Sequence, residues 1–241
     1  MNLLDKLKEV KFYNGDKTVK NQISVTEVTG GEVLQAYFAR KYPDIKKTKV
    51  GQFTLGSIFD YGMRQLVLDG RLGDGMQSGE RMNYTLPNGY TLTGEPDILD
   101  IESKVIYDVK LTKVYAWKKT VEEGAKHAYA KQLNYYRLLD GRDFKMALFM
   151  ALKDQNEAKP TDPNTIEIVD VAKIDDSVLI GDAVKISDSL QRLLDGVDKL
   201  PEKCNDLWGG NKCKFYCDYN MVCEYAKRSG HAPTLSQAWG L

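Results

Sequence analysis

Cysteine is absent from the first 203 of 241 residues, long apolar runs are absent throughout, and there is no net charge: 34 Lys and Arg stand against 34 Asp and Glu. The longest apolar run, Met146 to Leu152, has seven residues, far below the roughly 20 that cross a bilayer, so no membrane span is expected. The first nine residues, Met-Asn-Leu-Leu-Asp-Lys-Leu-Lys-Glu, interrupt their apolar positions with charge and contain no signal-peptide core. A cytoplasmic protein in a reducing compartment is the expectation. Zero net charge offers no global argument for nucleic acid; any surface for it must be a local basic patch offset elsewhere. No repeat or low-complexity stretch is present. With 42% hydrophobic and 28% charged residues, the composition is that of a globular chain with a real core.

The order of elements follows from periodicity and breakers. Ser24-Val-Thr-Glu27 reads as a capping box, followed by a helix over Val28 to Tyr42 that Pro43 closes. A second amphipathic helix covers Phe53 to Leu68, then a Gly-rich loop from Gly70 to Gly79. That loop lacks a P-loop lysine and does not join strand to helix, so it is not a nucleotide site. Strands are expected over Arg81 to Leu86 and Tyr90 to Ile98, joined by a hairpin turn at Pro87-Asn88-Gly89, and over Lys104 to Leu111. Helix follows from Trp117 to Leu139 with a break at Gly124. Next come a buried strand over Phe144 to Leu152, a polar loop from Gln155 to Asn164 and a strand from Thr165 to Val171. A helix from Val178 to Leu200 ends at Pro201. The fold class is α/β (α+β): a mixed central sheet flanked by helices over 1–200, with a C-terminal cysteine-rich segment over 201–241.

Ten residues separate Asp97, in Gly94-Glu95-Pro96-Asp97, from Asp108, in Asp108-Val109-Lys110. Side chains alternate along a strand, so Glu95 and Asp97 share one face, and Asp108 and Lys110 share another. If the two faces coincide, three carboxylates and an ammonium surround one point. Such a cluster is costly without a cation and provides the hard oxygen ligands of Mg²⁺ or Mn²⁺. Asp97, Asp108 and the Val109 carbonyl are the expected ligands. Lys110 is expected to orient a water or to stabilise charge developing on a phosphate. The rival reading is turn-flanking acids on solvated strands. Against it, Asp108 and Lys110 continue the apolar run Val105-Ile106-Tyr107, where charge is expensive unless used.

Taken with Gln132-Leu-Asn-Tyr-Tyr136 downstream, the ordered set of motifs resembles the PD-(D/E)XK nuclease superfamily, in its RecB-like branch. The resemblance covers roughly Gly56 to Cys223 and implies a restriction-endonuclease-like core. Gln132 and Tyr136 lie four apart on one helical face; the resemblance implies that the amide holds a phosphate or water, and the ring packs on DNA. The chain departs from the branch at one position. Four residues after a Gly the branch usually offers a His, and here Gly56-Ser-Ile-Phe leads to Asp60, which can itself ligate a hard metal. Neither His127 nor His231 stands at that position, and neither is assigned a role.

All four cysteines lie within twenty residues: Cys204, Cys213, Cys217 and Cys223. In a reducing compartment such a group reads as a metal site rather than a pair of disulfides, and four thiolates suit Zn²⁺ or an iron–sulfur cluster. The pair Cys217 and Cys223 is similar to the last cysteine pair of iron–sulfur nucleases in the same branch, CRISPR-associated adaptation nucleases among them. Those usually carry one cysteine before the core and three after it, whereas here all four follow it. A 4Fe–4S cluster is the expectation and zinc the alternative, in either case as a structural clamp.

Cations and rings interleave in two places: Lys113, Tyr115, Trp117, Lys118 and Lys119, then Lys212, Lys214, Phe215, Tyr216 and Tyr219. Such runs suit a single strand, with phosphates on the charges and bases on the rings; solvated lysines beside core aromatics are the ordinary alternative. The resulting expectation is a Mg²⁺/Mn²⁺-dependent deoxyribonuclease acting on single-stranded DNA or DNA ends. By family, it belongs to recombination, repair or phage DNA processing in a bacterial or phage-infected cell, with a recombination or replication protein as possible partner. The alternatives are a non-cutting DNA- or protein-binding module on the same fold and a restriction-like endonuclease.

Overall fold

The computed structural model describes residues 20–30, 33–43, 52–152, 166–200 and 219–229. In chain order the elements are β1 (Gln22–Ser24), α1 (Val25–Gly30), α2 (Val33–Lys41), α3 (Gln52–Leu68), β2 (Met76–Ser78), β3 (Met82–Thr85), β4 (Thr91–Gly94) and β5 (Ile98–Asp100). They continue with β6 (Val105–Thr112), α4 (Val114–Glu123), α5 (His127–Asp140), β7 (Lys145–Leu152), β8 (Ile166–Val171), α6 (Asp176–Leu194) and α7 (Asn220–Ser229). The principal sheet has the order β2-β5-β6-β7-β8, and a smaller one the order β1-β4-β3. In the principal sheet only β6 and β7 pair in parallel; every other pair is antiparallel. A parallel pair needs a long crossover, which α4 and α5 supply. Among the described residues no helix is long and apolar enough to cross a membrane.

The chain divides into two compact units. One holds the described residues of Lys49–Tyr84 and Leu92–Leu179; the other holds those within 15–48, Thr85–Thr91 and Ile180–Leu241. The division is discontinuous along the chain, and the expected C-terminal segment 201–241 is described only at 219–229.

In the first unit, Val67 of α3 packs with Ile98 of β5 and Val109 of β6, and Phe59, Met63, Met76, Tyr107 and Phe149 surround them. Phe59, Met63 and Val67 recur at helical spacing, so this stripe seats α3 on one face of the sheet. On β7, Met146, Ala147, Leu148 and Met150 are all buried, as expected of a central strand covered on both faces.

In the second unit the capping box forms as read: the Ser24 N–H donates to Glu27 Oε2 at 2.9 Å, and the Glu27 N–H donates to Ser24 Oγ at 3.2 Å. Arg40 then donates to Glu27 Oε1 at 2.8 Å and to the Gln22 carbonyl at 2.6 Å. Burial raises the Glu27 pKa, but Arg40 and Ser24 outweigh it and hold the carboxyl below its ordinary value. Arg40→Ala is expected to cost about 3 kcal/mol at pH 7, because it strands a nearly buried carboxylate. Since the folded pKa is depressed, this stability is present above the unfolded value and lost as pH falls through the folded one. The penalty should therefore shrink in urea titrations at pH 3.5.

Three expected elements differ. The helix over Val28 to Tyr42 is two helices: α1 ends at Gly30, and the Gly30-Gly31 pair is a poor helix former. The last long helix stops at Leu194 rather than Leu200, because Gly196 takes a left-handed φ of 71° and ends it. The strand expected over Tyr90 to Ile98 is interrupted at residues 95–97, beside Pro96. The polar loop Gln155 to Asn164 lies outside the described residues.

Candidate active site

Pro96 has no N–H to give a ladder, so β4 stops before it and β5 begins after it. Glu95 and Asp97 therefore stand on a loop, not on alternating positions of one strand. The antiparallel register ends at Ile98↔Tyr107, so Asp97 stands one residue beyond it, beside Asp108, and the two carboxyls interact directly. The sequence predicts a ligating carbonyl at Val109; the contact observed is its N–H donating to Asp97 Oδ2 at 2.7 Å.

Asp108 and Lys110, two apart on β6, share a face as expected, and the lysine Nζ lies 2.5 Å from Asp108 Oδ2. Their neighbours on β7 are Leu148 and Met150, both fully buried. Asp108 is 1% exposed, so its carboxylate is buried with Lys110 as its counter-ion. Burial, opposed by Lys110 and reinforced by Asp97, pushes the Asp108 carboxyl up to about 7. Burial alone disfavours the Lys110 charge, but Asp108 and Asp97 outweigh it and hold the ammonium above its ordinary value.

Asp60 reaches the site from α3. Burial and then the Asp97 charge raise its pKa, against the pull of Arg64. Sequence reading missed Arg64, one helical turn beyond Asp60. Its Nε lies 3.5 Å from Asp60 Oδ1 and its Nη2 3.2 Å from Asp97 Oδ1, while Nη1 pairs with Glu95. The i,i+4 spacing from Asp60 was the available signal. The structure thus brings Asp97, Asp108 and Lys110 together and joins Asp60 and Glu95 to them through Arg64.

The donor set suits a hard divalent cation. Asp60, Glu95, Asp97 and Asp108 put four carboxyl groups against only two cations, Arg64 and Lys110, and burial with mutual repulsion raises two of those carboxyls, a strain that a dication would relieve. Among the described residues no three acidic, His or Cys side chains stand in ligating geometry around one point. Arg64 and Lys110 hold the acids instead.

On α5, Gln132 Nε2 donates to the Tyr136 hydroxyl at 2.8 Å. Tyr136 is only 5% exposed, so its ring is not available to pack on DNA. What it does is hold the Gln132 amide. Tyr136→Phe is expected to cost about 1 kcal/mol in urea unfolding and to slow cleavage several-fold, because the amide loses its tether.

Trp117 and Tyr219 are likewise buried, the latter 6.2 Å from the Phe38 ring centroid, and so offer nothing to a strand of DNA. Tyr115, by contrast, is exposed, as are Lys113, Lys118 and Lys119. Sequence reading also missed Tyr129, whose ring centroid is 5.5 Å from the Lys110 ammonium and 5.9 Å from that of the exposed Lys126. Cys223 is buried on α7; Cys204, Cys213 and Cys217 lie outside the described residues, as do Lys212, Lys214, Phe215 and Tyr216.

A mixed sheet that carries an acid and a lysine on a central strand, with further acids on the loop beside it, is an arrangement suited to cutting a phosphodiester. The chain belongs to the PD-(D/E)XK nuclease superfamily, whose family model matches residues 28–224. Among solved structures it is similar to SSO0001, with 16% identity over 92% of this chain and 94% of that one, at a TM-score of 0.64. It is also similar to the alkaline exonuclease LHK-Exo from Laribacter hongkongensis, with 12% identity over 73% and 93% of the two chains and a TM-score of 0.47. A phage-related exonuclease from Haemophilus somnus 129PT gives 18% identity over 69% and 82%, and a TM-score of 0.46. No curated protein matches the sequence.

Proposed function

We propose that the protein is a Mg²⁺- or Mn²⁺-dependent deoxyribonuclease that digests single strands or DNA ends. One observation carries this reading: Asp97 lies beside Asp108, clamped by the Val109 N–H, with Lys110 against Asp108. Asp97, Asp108 and Asp60 would hold the metal, with Glu95 beside them. A bound divalent ion polarises a phosphoryl oxygen and makes water more acidic. Lys110 would place its ammonium where charge develops on the phosphate, beside the buried Asp108. Gln132, tethered by Tyr136, presents an amide that can orient phosphate or water. Lys126, Tyr129, Lys113 and Tyr115 supply cations and rings for the strand that leads to the site.

Preference for ends is tested with 5′- and 3′-labelled single and double strands, with and without Mn²⁺. An exonuclease shortens linear substrates progressively and leaves closed circular duplex intact, whereas linearised circles would mean an endonuclease. A binding module would retard the label without shortening it, a reading favoured by the pairing of the acids with Arg64 and Lys110. The four cysteines are proposed to hold a 4Fe–4S cluster as a clamp on the C-terminal segment. Brown protein that contains iron and sulfide supports it, and colourless protein with stoichiometric zinc means the alternative.

A further inference from the structure

The geometry points to Arg64 as the resident counter-cation of the acid cluster: its guanidinium holds Asp60, Glu95 and Asp97 together before metal arrives and competes with the divalent ion for them. This rests on the reading of Asp60, Asp97 and Asp108 as metal ligands. Each of the three guanidinium nitrogens meets a different carboxylate: Nε meets Asp60, Nη1 meets Glu95 and Nη2 meets Asp97. A planar fork can fan across three acids in this way, and a lysine, with its single charged nitrogen, cannot do so as well. The helix fixes Asp60 and Arg64 one turn apart, so the arrangement is built into α3 rather than left to a mobile side chain.

The remaining partners leave little slack. Asp97 Oδ2 accepts from the Val109 N–H at 2.7 Å and Oδ1 faces Arg64 at 3.2 Å, so each oxygen already has a partner before metal arrives. Lys110 is committed to Asp108. Without Arg64, three acids from two segments would face one another with only Lys110, paired to Asp108, nearby. With it they are assembled, but a dication entering between Asp60 and Asp97 meets a positive group 3.2 Å from the Asp97 oxygen it needs. Arg64 should therefore stabilise the metal-free protein and raise the metal concentration at which the site fills.

The test is calorimetric titration of Mn²⁺ into the full chain, together with thermal unfolding in EDTA and in saturating Mn²⁺, for wild type, Arg64→Gln and Arg64→Lys. Arg64→Gln is expected to melt lower than wild type in EDTA, to bind Mn²⁺ on the order of tenfold more tightly because a like charge beside the dication is gone, and to recover most of the lost Tm once Mn²⁺ saturates. Arg64→Lys should fall between the two and serves if Arg64→Gln does not fold. Equal losses of Tm with and without Mn²⁺, and an unchanged or weaker Mn²⁺ affinity, would mean a purely structural ion pair and overturn the assignment. If wild type binds Mn²⁺ and cuts DNA while the variants bind no more tightly, only the role of Arg64 is lost. If wild type binds no Mn²⁺ and cuts nothing, the reading of the site falls with it.

Discussion

Lys110→Ala is expected to reduce Mg²⁺-dependent cleavage by about 10³-fold while the chain still folds, since a preorganised cation aimed at the reacting phosphate is worth about that much. The same substitution carries a stability signature that an inert surface lysine would lack. Lys110 lies 2.5 Å from a carboxylate buried against Leu148 and Met150. The Asp108 pKa is raised from 3.8 to about 7 in the folded protein. A raised carboxyl contributes fully below its unfolded value and loses that contribution as pH rises through the folded one. Removing Lys110 pushes the folded value higher still. In EDTA the deficit against wild type should therefore be small at pH 5 and larger by about 1 kcal/mol at pH 8. Urea unfolding at both pH values, beside cleavage of an end-labelled strand, checks the two halves. Wild-type cleavage, or a pH-independent deficit, would place Lys110 outside the site.

Gly79→Ala is expected to be nearly as damaging although residue 79 touches no substrate. A Cβ on Gly79 would fall 1.9 Å from the Pro96 carbonyl oxygen and 2.7 Å from its carbon. Both are backbone atoms, so no rotamer relieves the clash. The Gly79 N–H also donates to the Asp97 carbonyl at 3.3 Å, tying the end of β2 to the residue beside Asp108. Relief must come from moving residues 95–97, at about 3 kcal/mol for overpacking a tight contact. A carboxylate displaced by roughly 1 Å costs about 10²-fold in rate. Gly75→Ala is the internal control. There the added Cβ meets only the side chain of exposed Glu102, 2.6 Å from its Cγ, so a rotamer change relieves most of the contact. Chemical denaturation and a cleavage assay on both variants should show a large loss at 79 and a small one at 75.

Most elements were legible because each has a local cause. The capping box at Ser24, the turn at Asn88-Gly89 and the break at Gly124 depend on one or two residues. Short β2 was not legible, because three residues do not establish an alternation, and the Gly-rich run around it reads as a loop. The motif pair was legible as chemistry but misplaced as structure: Glu95 and Asp97 read as one strand face, while Pro96 puts them on a loop. Tyr136 and Trp117 were assigned to DNA, and both are buried. An aromatic's identity does not say which face of its helix meets the sheet.

By itself the sequence determined the inventory and the local rules: an acid after a proline, an acid and a lysine two apart on an apolar strand, four late cysteines, and the points where helices start and stop. Only the tertiary structure decided which charges share a site. Strand pairing set Asp97 beside Asp108, and the packing of α3 carried Arg64 across to Glu95 and Asp97, more than thirty residues further along the chain. Chain-local preferences act over a turn or a pleat, whereas the meeting of charges depends on how whole elements bury their apolar faces, and no single stretch of residues encodes that.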